Sequence, residues 1–308
     1  MAGIALKLAS VALFSCMAAC IKAARIEVPP GEAVFFRAAI ALVPVFAYAA
    51  WTRQMAAAVS PRNLRGHAWR GLIGASAMSL NFAALGLLPL PEVVAISFAA
   101  PLIATVLAIV LLGEVVRLYR WSAVVVGFFG VLVMIWPRLT AVREAGLAGL
   151  ADGAVLGAAC MLAGAFLMAL AGIHVRALTR TEPAIAVVFW FHVSCTLASL
   201  ATLAFGWVMP STEAFVLLLA AGLFGGIAQI LVTESFARAG AATLAPFDYT
   251  SMLYGLLLGW LLFDEVPTGT VFVGAALVAA AGLFILYREH RLGLAARSAA
   301  RQNIAPGA

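Results

Sequence analysis

Apolar runs of about 20 residues recur along this chain from one end to the other, and that repetition leaves few folds open. A helix rises about 1.5 Å per residue, so each run is long enough to cross a hydrocarbon layer of about 30 Å. Backbone amides find no water inside such a layer, and only helices or the strands of a closed barrel satisfy them there. Barrel strands are about 10 residues long and alternate apolar with polar side chains. The runs in this chain are about twice that length and do not alternate. Composition agrees, with 65% hydrophobic and 10% charged residues against about 25% charged in soluble domains. The chain is therefore predicted to be an all-α polytopic membrane protein.

Ten spans are expected, at 4–22, 31–51, 68–88, 91–113, 118–137, 149–173, 183–205, 213–237, 241–263 and 268–287. The longest connections, 52–67 and 138–148, leave no room for a soluble domain. The first run lacks a clustered basic segment before it and a small-residue cleavage site after it, so it is read as a retained helix. Cys16, Cys20, Cys160 and Cys195 all fall inside spans without a CxxC pair and are read as apolar packing residues.

Basic residues near span ends are retained on the cytoplasmic side. With the N-terminus inside, that side receives thirteen Lys and Arg, among them Arg53, Arg62, Arg65, Arg70, Arg238 and the arginines after 287. The opposite side receives Lys22, Arg25, Arg138 and Arg143, while Lys7 and Arg37 lie within spans. Both termini are thus expected in the cytoplasm, which requires an even number of crossings. The net charge of +6 is explained by basic residues at anionic membrane edges, and no nucleic-acid partner is expected. Five of the seven tryptophans sit near span ends, as interfacial rings prefer.

Shifting the chain by 151 residues lays PEVVAISFAAPLIATVLAIVLLGEVV over ATLAPFDYTSMLYGLLLGWLLFDEVP, pairing Leu107, Leu111, Glu114 and Val115 with Leu258, Leu262, Glu265 and Val266. A shift of 153 lays AVFFR at 33–37 over AVVFW at 186–190. Both shifts map span n onto span n+5. Two five-helix units in one chain must insert with opposite orientation because five is odd. Inverted repeats of this kind mark transporters, with substrate sites near the midplane between the halves. The expected divisions are 1–148 and 149–287, followed by a basic cytoplasmic tail at 288–308.

At this point the chain resembles the drug/metabolite transporter superfamily, EamA type. The resemblance rests on EAVFFRAAIALVPV at 32–45, WRGLIG at 69–74, GE at 113–114 and APFDYTSMLYGLLLGWLLFDEVPT at 245–268. Within it these stretches look most like bacterial riboflavin transporters, then like S-adenosylmethionine uptake transporters. The resemblance implies ten helices in two repeats, alternating access, and a bacterial inner-membrane location. The implied partners are a small-molecule substrate, the bilayer and a coupling proton or ion, with the chain a monomer or homodimer. Riboflavin uptake is the first substrate implied, with S-adenosylmethionine uptake and export of amino acids or related metabolites as alternatives. The chain has no GxxxxGK[ST] loop, no HExxH and no GxSxG, so a secondary carrier is expected instead of an ATPase or enzyme, with no cofactor and no metal.

A charge at mid-bilayer costs about 2.5–3.5 kcal/mol on insertion scales and normally faces a cavity or a partner. Asp248 and Glu234 lie about equally far from a short turn near 239–241, roughly 10 Å inside the layer. They are expected either to form a coupling or substrate-binding pair or to be neutralised by Arg238 and cytoplasmic water. Arg37 offers a planar fork for a carboxylate, a phosphate or a flavin-like carbonyl edge, or else pairs with Glu32 or Glu92. The repeat places Trp190 opposite Arg37 and Tyr249 opposite Phe98. Asn81, Ser97 and Tyr254 are candidate polar groups of a cavity, and His192 and Gln229 are either packing residues or ligands. Pro246, read as interior to the ninth helix, frees a carbonyl and favours a cavity beside Asp248 and Tyr249. Glu114 and Glu265 are read as turn residues shared by the repeats.

Overall fold

A computed structural model describes residues 2–112, 118–145, 153–239 and 244–304. Helix falls on each of the ten predicted segments, and among the described residues there is no strand. The helices are α1 (Ala2–Ala24), α2 (Pro30–Trp51), the short α3 (Met55–Val59), α4 (Leu64–Leu87), α5 (Leu90–Ser97), α6 (Ala99–Leu112), α7 (Leu118–Ala145), α8 (Gly153–Leu178), α9 (Ala184–Leu200), α10 (Thr212–Arg238), α11 (Thr250–Phe263) and α12 (Gly269–Ile304). A 3₁₀ turn, Ala201–Phe205, extends α9, and another, Ala245–Tyr249, precedes α11. Among the described residues, six helical segments are long and apolar enough to cross a membrane by themselves. The α4 helix is long enough but carries Arg65, His67, Arg70 and Asn81, and α11 has only 14 residues.

Several boundaries differ from expectation. The tail predicted from 288 continues as helix to Ile304, and α7 runs through much of the connection expected at 138–148. The fourth span is two helices broken at Phe98, where Pro101 lacks the N–H that Ser97's carbonyl would need to continue the ladder. The ninth is likewise a 3₁₀ turn followed by α11. Pro246 sits in the first turn of that 3₁₀ segment, where no amide is required, and not in a helix interior as predicted. Glu114, half of the shared glutamate pair, lies outside the described residues.

The packing keeps its pattern when span n is exchanged for span n+5. α1 lies on α10 as α4 lies on α8, α2 meets α10 as α9 meets α4, and α11 meets α1 as α6 meets α8. Three pairings map onto themselves: α2 with α9, α5 with α11, and α7 with α12. Phe98 and Tyr249, equivalent under the 151-residue shift, stack with centroids 4.7 Å apart and planes 17° from parallel. Equivalent residues touching each other is the signature of a local two-fold axis, and it places that axis between the two broken helices.

Lipid tails are as apolar as leucine, so helices associate through close packing. The outward faces carry exposed Val110, Phe129, Leu253 and Phe272, while the interior is built from Ala, Val, Leu and Met. α7 and α12 approach most closely at two glycines, where a Cβ added at Gly130 would lie 2.7 Å from the Gly274 carbonyl oxygen. Gly130→Val is expected to cost about 1–3 kcal/mol through overpacking and to lower the melting temperature of the purified protein. Gly172→Ala, where a Cβ meets nothing within 4 Å, serves as the control and leaves the melting temperature unchanged or slightly higher. Equal melting for both variants would show that this contact does not hold the halves together.

Candidate functional site

The ninth segment carries its acid into an ion pair with the first helix. Asp248 Oδ1 lies 2.6 Å from Lys7 Nζ, with the lysine side chain 5% exposed and the aspartate 48%. Lys7 also lies 5.1 Å from the Phe236 ring centroid, a cation–π contact with α10. Near its other end α1 meets the same segment again: Lys22 Nζ lies 2.8 Å from Glu265 Oε1 and donates to the carbonyls of Leu88 at 2.7 Å and Leu85 at 3.3 Å. Glu265 Oε2 in turn accepts the Leu90 N–H at 2.7 Å. The predicted turn residue thus joins α1, α4 and α5 to the end of α11.

The expected pairing of Asp248 with Glu234 does not form. Glu234 Oε2 lies 2.9 Å from Arg238, and Oε1 accepts the Tyr48 hydroxyl hydrogen from α2. Each acid has a cation of its own within reach, so neither needs to share a proton with the other.

Glu234 lines a cavity of about 550 Å³ between α2, α4, α8, α9 and α10. Its polar lining is Tyr48, Gln54, Arg70, Thr179, Gln229, Thr233 and Glu234, set among Val175, Ile185, Val188, Phe191, Ile230 and Phe236. A second hollow of about 440 Å³ lies between α11 and α12, with Pro246, Tyr249, Thr250, Met252 and Phe272 in its wall. Asp248 lines neither of these two, whereas its neighbours Pro246, Tyr249 and Thr250 wall the second.

Arg37 is buried in α2. Its Nη1 lies 3.5 Å from His192 Nδ1 and 3.7 Å from Met78 Sδ, and its Nε has no partner. It forms no ion pair among the described residues. Glu32 Oε2 is occupied by the Val208 N–H at 3.0 Å instead. An arginine can only donate, so His192 Nδ1 accepts and the ring's proton belongs on Nε2. Arg70, assigned to a cytoplasmic connection by the charge count, lies within α4 with its guanidinium carbon 4.0 Å from the Phe191 ring centroid and its Nε without a partner.

The remaining candidates scatter. Asn81 Oδ1 is buried without a partner and rests against Gly164 of α8. Trp190 packs at 5.8 Å on Phe189 and 6.3 Å from His67, with Nε1 unpartnered. Ser97 donates to the Val94 carbonyl at 2.6 Å, closing its own helix end. Tyr254 is half-buried on α11, outside both hollows.

The sequence matches the EamA-like transporter family over residues 1–136 and 155–287. The chain belongs to that family. Its two matched stretches follow the two halves seen in the packing, and with the long apolar helices they make this EamA-like transporter a multi-pass membrane protein. It is 29% identical to the riboflavin transporter of Rhizobium johnstonii over 226 residues, 73% of this chain and 71% of that one. It is 27% identical to the pseudopaline exporter CntI of Pseudomonas aeruginosa over 281 residues, 91% and 94% of the two chains. To the S-adenosylmethionine uptake transporter of Rickettsia prowazekii it is 25% identical over 225 residues, 73% and 72%. A crystal structure superposes with a TM-score of 0.65, covering 94% of this chain and 98% of that one at 21% identity, a likeness of fold alone.

Lys7 and Arg70 are the residues that sequence reasoning passed over, although a lysine inside an apolar span is itself a signal. If the Lys7–Asp248 contact is a true pair, Lys7→Met and Asp248→Asn will each destabilise the protein, and the double variant will lose less than the sum by about 1 kcal/mol, the aspartate being half-exposed. A double-mutant cycle on thermal unfolding measures this, and strict additivity would mean the contact carries no coupling.

Proposed function

We propose that this EamA-like transporter is a secondary-active carrier of a small metabolite in the bacterial inner membrane. Ten crossings place both termini in the cytoplasm, and the units 1–148 and 149–287 are inverted repeats that rock against each other. What supports this most is the position of the 550 Å³ cavity, whose walls come from α2 and α4 of one half and α8, α9 and α10 of the other. A cavity between repeats is where alternating access requires the substrate. Its volume and apolar lining with a few polar groups suit a drug-sized ligand.

Riboflavin uptake is the first substrate to test, supported by riboflavin transporters of Rhizobium johnstonii and Vibrio cholerae among the relatives and by Tyr48, Phe191 and Phe236 in the cavity wall. A second reading, export of an amino-acid-related metabolite, is favoured by the pseudopaline exporter, whose similarity spans 91% of this chain. S-adenosylmethionine uptake is a third candidate. Glu234 and Arg37 act in substrate binding, with Asn81, Trp190, Ser97, Tyr249 and Tyr254 supporting the helices around the cavity. Asp248 acts in coupling through its exchangeable contact with Lys7, and a proton or other ion gradient drives the cycle.

Purified protein reconstituted into liposomes with an imposed proton gradient is expected to accumulate labelled riboflavin unchanged. Asp248→Asn, inserted at normal levels, is expected to lose gradient-driven accumulation by at least about tenfold while retaining substrate exchange. Full accumulation by that variant would remove Asp248 from coupling, and recovery of a chemically altered compound would indicate an enzyme.

A further inference from the structure

Arg70 stands apart from the other cations of the bundle. Lys7, Lys22 and Arg238 each contact a carboxylate within 3 Å, whereas Arg70 has none among the described residues. Its guanidinium carbon lies 4.0 Å from the Phe191 ring centroid, a cation–π contact. Gly74 makes room for this: a Cβ there would lie 2.7 Å from Arg70 Nη1 and 2.5 Å from Phe191 Cε2. Both Arg70 and Phe191 line the large cavity. Behind Phe191, its neighbour His192 meets Arg37, a second buried guanidinium without a counter-charge. The acid in the same cavity, Glu234, is already engaged by Arg238 and Tyr48. The cavity wall therefore holds a fixed positive charge that nothing in the described protein neutralises.

We infer that the substrate carries an acid group, a carboxylate or a phosphate, which docks on the donor edge of Arg70. The inference rests on the cavity being the transport site and adds the substrate's charge class; riboflavin carries neither acid group, so the inference favours the amino-acid-related and S-adenosylmethionine readings over riboflavin uptake. A guanidinium edge matches two acid oxygens with two parallel N–H donors. Contact with the Phe191 ring restrains the side chain before docking, so less side-chain entropy is lost. Arg37 adds positive potential from behind, and the apolar wall formed by Val175, Ile185 and Val188 receives the body of the molecule.

Matched pairs of compounds test this directly. In nanodiscs of phosphatidylcholine, binding is measured for riboflavin against flavin mononucleotide, which differ by a phosphate. S-adenosylmethionine is measured against its decarboxylated form, which differs by a carboxylate. The acid-bearing member of at least one pair is expected to bind the wild type about tenfold or more tighter, and the preference is expected to fall within about twofold in Arg70→Gln. Arg70→Lys, which preserves charge and buried volume, keeps part of the preference and controls for folding. Equal binding of both members, or an undiminished preference in Arg70→Gln, overturns the inference. Loss of the preference on adding phosphatidylglycerol overturns it too, since the acid group would then be a lipid's. Liposome accumulation separates this from the carrier reading: binding with acid preference but no accumulation sinks the carrier alone, and accumulation without acid preference sinks the inference alone.

Discussion

Inside a bilayer every backbone amide and carbonyl must find its partner within the protein, and the places where this molecule interrupts its helices are the places where that rule is hardest to meet. Both breaks are closed by hydroxyls. At Phe98 the backbone N–H returns to the carbonyls of Ala95 and Ile96, and Ser97 Oγ donates to Val94. At the second break Thr250 Oγ1 donates to the Phe247 carbonyl at 2.6 Å and Ser251 Oγ to that of Asp248 at 2.7 Å. Short hydroxyl side chains supply donors in the turns where the regular ladder changes register. The stacked Phe98 and Tyr249 then cover the two breaks with one another, so the irregular backbone of each half is sealed by the other.

The charges follow the same economy of partners. α1 is tied to the ninth segment near both ends, but the two ties differ in kind. Lys22 meets a carboxylate and two carbonyls, with its side chain 12% and that of Glu265 18% exposed. Lys7 meets Asp248, whose side chain is half in contact with solvent, and beyond it only the Phe236 ring. A partly hydrated pair gains less from its Coulomb attraction and loses less when it opens than a buried, multiply bonded one. The Lys7 contact is therefore the more labile of the two, and the Lys22 contact is the one that fixes α1 against α4 and α5.

Much of the architecture was legible in the chain because the bilayer reduces the problem to apolar length. Helix falls on each of the ten runs, six of them long and apolar enough to cross a membrane among the described residues, and the near-equal shifts of 151 and 153 residues match the exchange of neighbours seen in the packing. Prolines stand at both breaks, Pro246 at the one the sequence reading places inside a helix and Pro101 at the one that reading passes over. The site was less legible. Asp248 was matched to Glu234 by depth and by a short connection, both local quantities, whereas its actual partner Lys7 lies 241 residues away in sequence and is brought near only by the packing of α1. Arg70 was lost for a different reason. It stands six residues into α4, close enough to a predicted boundary to be counted as a topological charge, and only its contact with Phe191 shows it turned inward.

The two halves share a scaffold and differ in what they mount on it. Gly71 and Gly74 of α4 correspond to Gly222 and Gly225 of α10 under the 151-residue shift, and both pairs lie against the central helices α9 and α2. Gly74 leaves space for Arg70 and Phe191, while Gly225 leaves space for Met17 and Arg37, a Cβ there falling 3.0 Å from Arg37 Nε. The same gap thus occurs in both halves, and both gaps are filled by guanidiniums of the first half, Arg70 from the helix of its own gap and Arg37 from α2. Symmetric backbones give two interchangeable ways of packing, as rocking of repeats requires. Unequal side chains make the two halves chemically different although their scaffold repeats. The single acid at Asp248, where the first half has Ser97, belongs to the same asymmetry. Transport chemistry in this molecule is accordingly to be sought where the repeats disagree, and packing where they agree.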